Sequence, residues 1–154
     1  MSKTSEIKLS KMLCQDCIVD LISSKKDNIL KELVQVISTT KLVDNKLDLY
    51  KAVSEREKIG STAIGMGIAI PHAQSKCVKD FVLALGRKPE GLAFDSSDGQ
   101  LVNLVVMIGA PEGRSDDLLR ILAKVTLILK NAKFRKKLLE AKAKTEILHF
   151  FKDK

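Results

Sequence analysis

Apolar residues recur along this chain with two different periods. Leu30, Leu33, Val34 and Ile37 fall at steps of three, one and three, the stripe of an amphipathic helix. Ser23–Asp27 supplies polar residues and a helix cap ahead of it. A second helix is predicted from about Lys46 to Lys58, with Leu47, Leu49, Tyr50 and Val53 as its apolar positions and Gly60 as its end. A long helix starts at Ser115 or Asp116 and carries Leu118, Ile121, Leu122, Val125, Ile128 and Leu129. Lys133–Leu139 and Thr145–Phe151 predict two further short helices.

The other period belongs to strands. Cys17–Ile22 predicts a first strand, after a helical turn over Leu9–Leu13. Phe81–Leu85 and Leu101–Ile108 are rich in branched apolar residues and predict central strands. Between them, Lys88-Pro89-Glu90-Gly91 and Asp95–Gly99 have the composition of turns, and Pro111-Glu112-Gly113 closes the last strand. No internal repeat, low-complexity linker or domain boundary interrupts this order. It predicts an α/β or α+β sandwich, helices covering a mixed sheet.

Length and composition agree with one such domain. The chain has 154 residues, 45% hydrophobic and 30% charged, enough to bury a core without disulfides or metal. Aromatics are 4%, with no Trp and a single Tyr50, which is thin for stacking on single-stranded nucleic acid. The longest apolar stretch, Leu101–Ala110, is interrupted by Asn103 and too short to span a bilayer. Residues Met1–Glu6 lack the apolar core of a signal peptide. A soluble, cytoplasmic protein is the expectation, with no membrane insertion.

The net charge of +8 is concentrated near the end of the chain. Residues 131–154 hold eight Lys/Arg against three acids, a net +5. One reading is attraction to nucleic acid, acidic lipid or an acidic partner. The preferred reading is a solvated helix face, since no nucleic-acid motif accompanies the lysines, and no nucleic-acid partner is expected. Cys14-Gln15-Asp16-Cys17 has the CxxC spacing of zinc and redox centres. Zinc would need two more ligands, and only Cys77, His72 and His149 are on offer, at irregular spacing. The pair is read as two incidental thiols, and neither metal nor cofactor is expected.

Chemistry is expected near the middle of the chain. Pro71 has no N–H, so the strand Ile68-Ala69-Ile70 should end there and present His72 at its rim. A neutral imidazole at a strand end suits a general base, a metal ligand or a phosphoryl acceptor. The plainer alternative is a histidine hydrogen-bonded to a loop. Upstream, Gly60–Gly65 matches the first half of a P-loop, but Met66-Gly67 stands where the Lys-Ser/Thr pair would be, which argues against ATP. Backbone N–H groups around Gly65 and Gly67 could still hold a phosphate, and Arg56 could add a guanidinium. A surface ion pair is the plainer role for Arg56.

The run from Ser54 to His72, with Glu55-Arg56-Glu57 at its start and Ile70-Pro71-His72 at its end, closely resembles the enzyme IIA domain of the bacterial phosphotransferase system. The branch is that of the fructose, mannitol and nitrogen-regulatory proteins. Val82–Arg87, Asp95…Asp98-Gly99, Val102–Ile108 and Ala110–Gly113 extend the resemblance over residues 9–150, leaving short tails. It implies the mixed-sheet sandwich of the phosphotransferase/anion-transporter type. It also implies a phosphocarrier: His72 takes a phosphoryl group on Nε2 from HPr and passes it to a IIB-type acceptor or uses it as a regulatory signal. Arg56 matches the family's arginine and would neutralise the phosphoryl oxygens, with Thr62, Gly65 and Gly67 as weaker donors.

Two positions depart from the family pattern. Asp117, or Leu118 if the alignment shifts by one residue, stands where members often carry a second histidine, and Met66 replaces a common Asn. A carboxylate at Asp117 is expected to repel phosphoryl oxygens. The departures motivate an alternative, a regulatory interaction protein on the same fold with little phosphorylation of His72. With no IIB or IIC segment in the chain, the nitrogen-regulatory subtype is favoured.

Overall fold

The computed structural model describes residues 7–154, so the expectations for Met1–Glu6 lie outside the described residues. A 3-10 turn, Leu9–Lys11, leads into β1, Leu13–Asp20. Two helices follow, α1 Lys26–Ile37 and α2 Lys46–Ile59. Three short strands come next, β2 Ala63–Gly65, β3 Ile68–Ala69 and β4 His72–Ser75. Two long strands, β5 Val82–Leu92 and β6 Val102–Pro111, precede α3 Ser115–Leu129, α4 Ala132–Glu140 and α5 Lys144–Phe150.

The six strands form one mixed sheet in the order β1-β5-β6-β3-β2, with β4 also on β6. β5 and β6 are antiparallel, whereas β1 runs parallel to β5, and β3 and β4 run parallel to β6. Residues Val82–Gly86 and Leu104–Ala110 are buried without a break, so both faces of the central strands are covered. The helix stripes supply that cover: Ile29, Leu30, Leu33, Val34 and Ile37 in α1, and Leu118, Ile121, Val125 and Leu129 in α3.

Local chemistry sets the helix ends. Asn45 caps α2 by accepting the N–H groups of Leu47 and Asp48 at 3.1 and 3.2 Å. The polar stretch before α1 works differently from the expected cap. Lys25 occupies the cap position with no side-chain bond, while the N–H groups of Ile22 and Ser23 donate to Glu32, nearly two turns into the helix.

Three expectations are corrected. The first strand opens at Leu13, not Cys17, and only Leu9–Lys11 is helical. Lys88-Pro89-Glu90-Gly91 lies inside β5, where a register shift between Arg87 and Leu92 lets Pro89 and the positive-φ Gly91 (+81°) sit without ladder bonds. Pro71 does interrupt the strand, but pairing resumes at once: His72 opens β4 and stands opposite Ile108 on the same neighbour, β6. His72 is therefore built into a ladder, not left at its rim.

Candidate functional site

β4 holds His72 half-buried, with its backbone in register on the central strand. Pro71 contributes its carbonyl oxygen to that register by accepting the Ile108 N–H at 3.0 Å. The ring turns back on its own chain, and Nδ1–H donates to the Ile70 carbonyl oxygen at 2.8 Å. A carbonyl oxygen only accepts, so the proton is on Nδ1 and the Nε2 lone pair is unprotonated. Burial pushes the His72 pKa below its ordinary value, and the Arg56 charge pushes it the same way. The Ile70 carbonyl and the Glu57 charge oppose this without reversing it. The site thus holds a neutral imidazole with a fixed tautomer, which is a nucleophile.

α2 packs against β4 and delivers two charges from its last turns. Arg56 is partly exposed and donates from Nη1 to the Gly60 carbonyl oxygen at 2.9 Å, which folds the guanidinium over the end of the helix. The next residue, Glu57, points inward and is 7% exposed. Its carboxylate accepts the Thr62 N–H at 2.8 Å and the Thr62 Oγ1–H at 2.6 Å, and pairs with Lys26 Nζ at 2.9 Å. The Thr62 carbonyl oxygen in turn accepts the Ile70 N–H at 3.0 Å. A continuous set of bonds therefore runs from Lys26 through Glu57, Thr62 and Ile70 to the Nδ1 of His72.

Of the residues expected together from the sequence, Thr62 and His72 are joined by this network, while Arg56 lies outside it and acts on His72 through its charge. Both donors of Thr62 are engaged by Glu57, so Thr62 acts on the site through its backbone. Gly65 and Gly67 are not at the site. They flank Met66 in a tight hairpin turn between β2 and β3, where Met66 and Gly67 have φ of +58° and +77°. The Gly67 carbonyl oxygen accepts the N–H of Asn103 at 2.9 Å, whereas His72 stands opposite Ile108. Five residues along β6 separate the two, about 16 Å at strand rise. The Met66 N–H is also occupied, by Asp98 Oδ2 at 3.1 Å. The glycines serve the turn, and the P-loop resemblance of Gly60–Gly65 is to a hairpin, not to a helix N-terminus.

Asp117 is caged by two arginines. Arg114 Nη2 donates to it at 2.7 Å and Arg120 Nη2 at 2.8 Å, and the Arg114 bond holds its carboxyl below the usual range. Leu118 is buried. The repulsion expected from Asp117 is thus met locally by cations, and the charges acting on His72 are those of Arg56 and Glu57.

Glu57 is the site residue that sequence reasoning passed over. Its signal is present in the spacing: Leu49, Val53 and Glu57 recur every four residues, which places the carboxylate on the buried stripe of α2. Gln74 Nε2, which donates to Ser115 Oγ at 2.8 Å and ties β4 to the start of α3, has no such signal. Among the described residues no group of three or more His, Cys, Asp or Glu gathers to hold a metal ion.

Residues 12–154 match the model of the family described as phosphoenolpyruvate-dependent sugar phosphotransferase system, EIIA 2. The chain belongs to this family. Among curated EIIA relatives, it is 34% identical over 143 residues to the PTS system fructose-specific EIIABC component of Bacillus subtilis, covering 92% of this chain and 22% of that protein. It is 36% identical over 94 residues to a nitrogen regulatory protein of Bradyrhizobium diazoefficiens, covering 61% of each. The chain thus spans less than two thirds of these relatives. The crystal structure of the nitrogen regulatory protein IIA-Ntr from Neisseria meningitidis superposes with a TM-score of 0.85 at 27% identity, over 93% of this chain and 98% of that one. Among the described residues no helix is long and apolar enough to cross a membrane.

Proposed function

We propose that this EIIA chain is a phosphocarrier of the phosphoenolpyruvate-dependent phosphotransferase system, with residues 9–150 as the working unit and the cytoplasm as its place of action. His72 accepts a phosphoryl group from the phosphohistidine of HPr. The observation that carries the reading is the Nδ1–H bond from His72 to the Ile70 carbonyl oxygen, which leaves Nε2 unprotonated in a neutral ring.

In the transfer the Nε2 lone pair attacks phosphorus in line, a new P–N bond forms, and the donor's P–N bond breaks with its electron pair returning to the donor imidazole. No proton moves to or from His72, because Nδ1–H stays on Ile70 while positive charge develops in the ring. That carbonyl and the Glu57 carboxylate stabilise the charge. Arg56, whose guanidinium carries further donors besides the one on Gly60, neutralises the phosphoryl oxygens. The phosphoryl group then passes to a IIB-type acceptor, or its presence is sensed by a regulated partner. The regulatory subtype is favoured by the likeness to the Neisseria and Bradyrhizobium proteins.

The deciding experiment is intact mass after incubation with phosphoenolpyruvate, enzyme I and HPr, alongside His72→Ala. An acid-labile gain of about 80 Da in the wild type alone supports the reading. No gain with HPr that phosphorylates another EIIA would sink it. A IIB acceptor that discharges the product would place the chain in sugar transport instead of regulation.

A further inference from the structure

The edge of the sheet farthest in sequence order from the histidine carries a second chemical feature. Leu13 faces Leu83 and Ile18 faces Leu85, so five steps along β1 span two steps along β5. The surplus is taken up by Cys14-Gln15-Asp16-Cys17, which bulges from the ladder. The bulge folds Cys14 back onto Cys17, with Sγ atoms 3.2 Å apart. Along a regular strand, residues three apart are separated by about 10 Å, so the closeness is a product of the bulge. β1 lies at an edge of the sheet, where Cys14, Gln15 and Asp16 are exposed while Cys17 is buried. The third thiol, Cys77, is buried in another part of the chain.

We propose that Cys14 and Cys17 form a dithiol site that reacts with small-molecule disulfides and closes to an intramolecular disulfide. The Cys14 thiolate attacks one sulfur of the small disulfide, whose S–S bond breaks and releases one thiolate. The Cys17 thiolate then attacks Cys14 Sγ in the mixed disulfide, forming the internal S–S bond and expelling the second thiolate. Two protein thiols are oxidised, one external disulfide is reduced to two thiols, and the protons end on those thiols.

Exposure assigns the roles, since only Cys14 is reachable from solvent. The Cys17 thiol is pushed up to about 12, first by burial and then by the Cys14 sulfur, which makes ring closure the slow step and one that quickens as pH rises. To close the bond the sulfurs move from 3.2 Å to about 2.05 Å. A zinc site is a poorer fit, because among the described residues no third ligand gathers at the pair.

The test incubates the whole protein with oxidised glutathione at several pH values, then alkylates it under denaturing conditions. Before alkylation the expected product is lighter by about 2 Da than the reduced protein; it then takes up a single alkyl group and shows Cys14 joined to Cys17 by peptide mapping. Dithiothreitol should restore the starting mass. Cys77→Ser should oxidise as the wild type does, Cys17→Ser should stop at a glutathione adduct on Cys14, and Cys14→Ser should resist both steps. Because Cys14 is exposed, its variant tests the site even if replacement of buried Cys17 disturbs folding. A wild-type protein that retains the glutathione adduct with Cys17 still alkylatable, or three alkylatable thiols at every glutathione ratio, would overturn the proposal. The outcome is independent of phosphotransfer, so His72→Ala should oxidise normally.

Discussion

The Nδ1–H of His72 rests on the carbonyl oxygen of Ile70, two residues back in the same chain, at 2.8 Å. Pro71 stands between them, and its fixed φ sets the turn that brings the ring over that oxygen. The nucleophilic nitrogen is therefore chosen by a local backbone bend. Nitrogen NMR of the imidazole should show the proton on Nδ1, and the phosphoryl group should be found on Nε2. A phosphoryl group on Nδ1 would contradict this geometry.

Titration of His72 follows from its burial and from the Arg56 charge, both of which lower its pKa from 6.5. The unfolded chain then binds a proton that the folded chain refuses. Stability contributed by the neutral ring is fully present above 6.5 and declines as pH falls through 6.5 toward the folded value. Denaturant melts of the wild type and His72→Gln, compared across this window, should diverge most at the acid end. Arg56→Ala should raise the His72 pKa and slow phosphoryl transfer by roughly 10²-fold. Unchanged kinetics would remove Arg56 from the mechanism.

Glu57 is expected to hold the site as well as to tune it. Glu57→Ala leaves both Thr62 donors without their acceptor and Lys26 with only its longer 3.5 Å pairing to exposed Asp95, and should cost about 3 kcal/mol in chemical denaturation. Glu57→Gln keeps one acceptor oxygen, so it should recover part of that stability while the His72 pKa falls further. The recovery separates scaffolding from charge: a Gln variant with wild-type titration would show that the Glu57 charge does not reach the ring.

The hairpin tip should behave as a structural element remote from the chemistry. A Cβ on Gly67 would lie 2.8 Å from Asn103 Oδ1, at a φ of +77°. Gly67→Ala should lose about 1–3 kcal/mol of stability yet leave the His72 titration unchanged. A shifted titration would place the turn closer to the site than the register does.

Gly86 tests the fit between β5 and the chain leaving β1. A Cβ there would meet three Leu21 side-chain atoms at 2.7–2.8 Å. Gly86→Ala should destabilise by about 1–3 kcal/mol, and Leu21→Ala in the same chain should recover part of the loss. Thermal melts of the single and double variants measure the coupling.

Much of the fold is legible because packing and pattern agree. The stripe Leu118, Ile121, Val125 and Leu129 names both α3 and the face it buries. β5 was harder, since Pro89 and Gly91 have turn chemistry, and only the register shows that a bulge absorbs them. Of the site, His72 and Arg56 stand out through their motif. The roles of Gly65 and Gly67 depend on hairpin pairing, a long-range relation that composition does not encode. Glu57 was readable from its four-residue spacing, but a charged residue on an apolar stripe is easily taken for a surface ion pair.

β6 carries β5 on one side and both β3 and β4 on the other, so the backbone on either side of Pro71 is fastened to one continuous strand. A residue on such a mount has little freedom to swing. Adding a phosphoryl group there changes the local charge by up to about −2 without a hinge to turn that charge into a new shape. A partner that distinguishes the two states would then read an electrostatic label on a constant surface, and its preference should fade as salt screens that label.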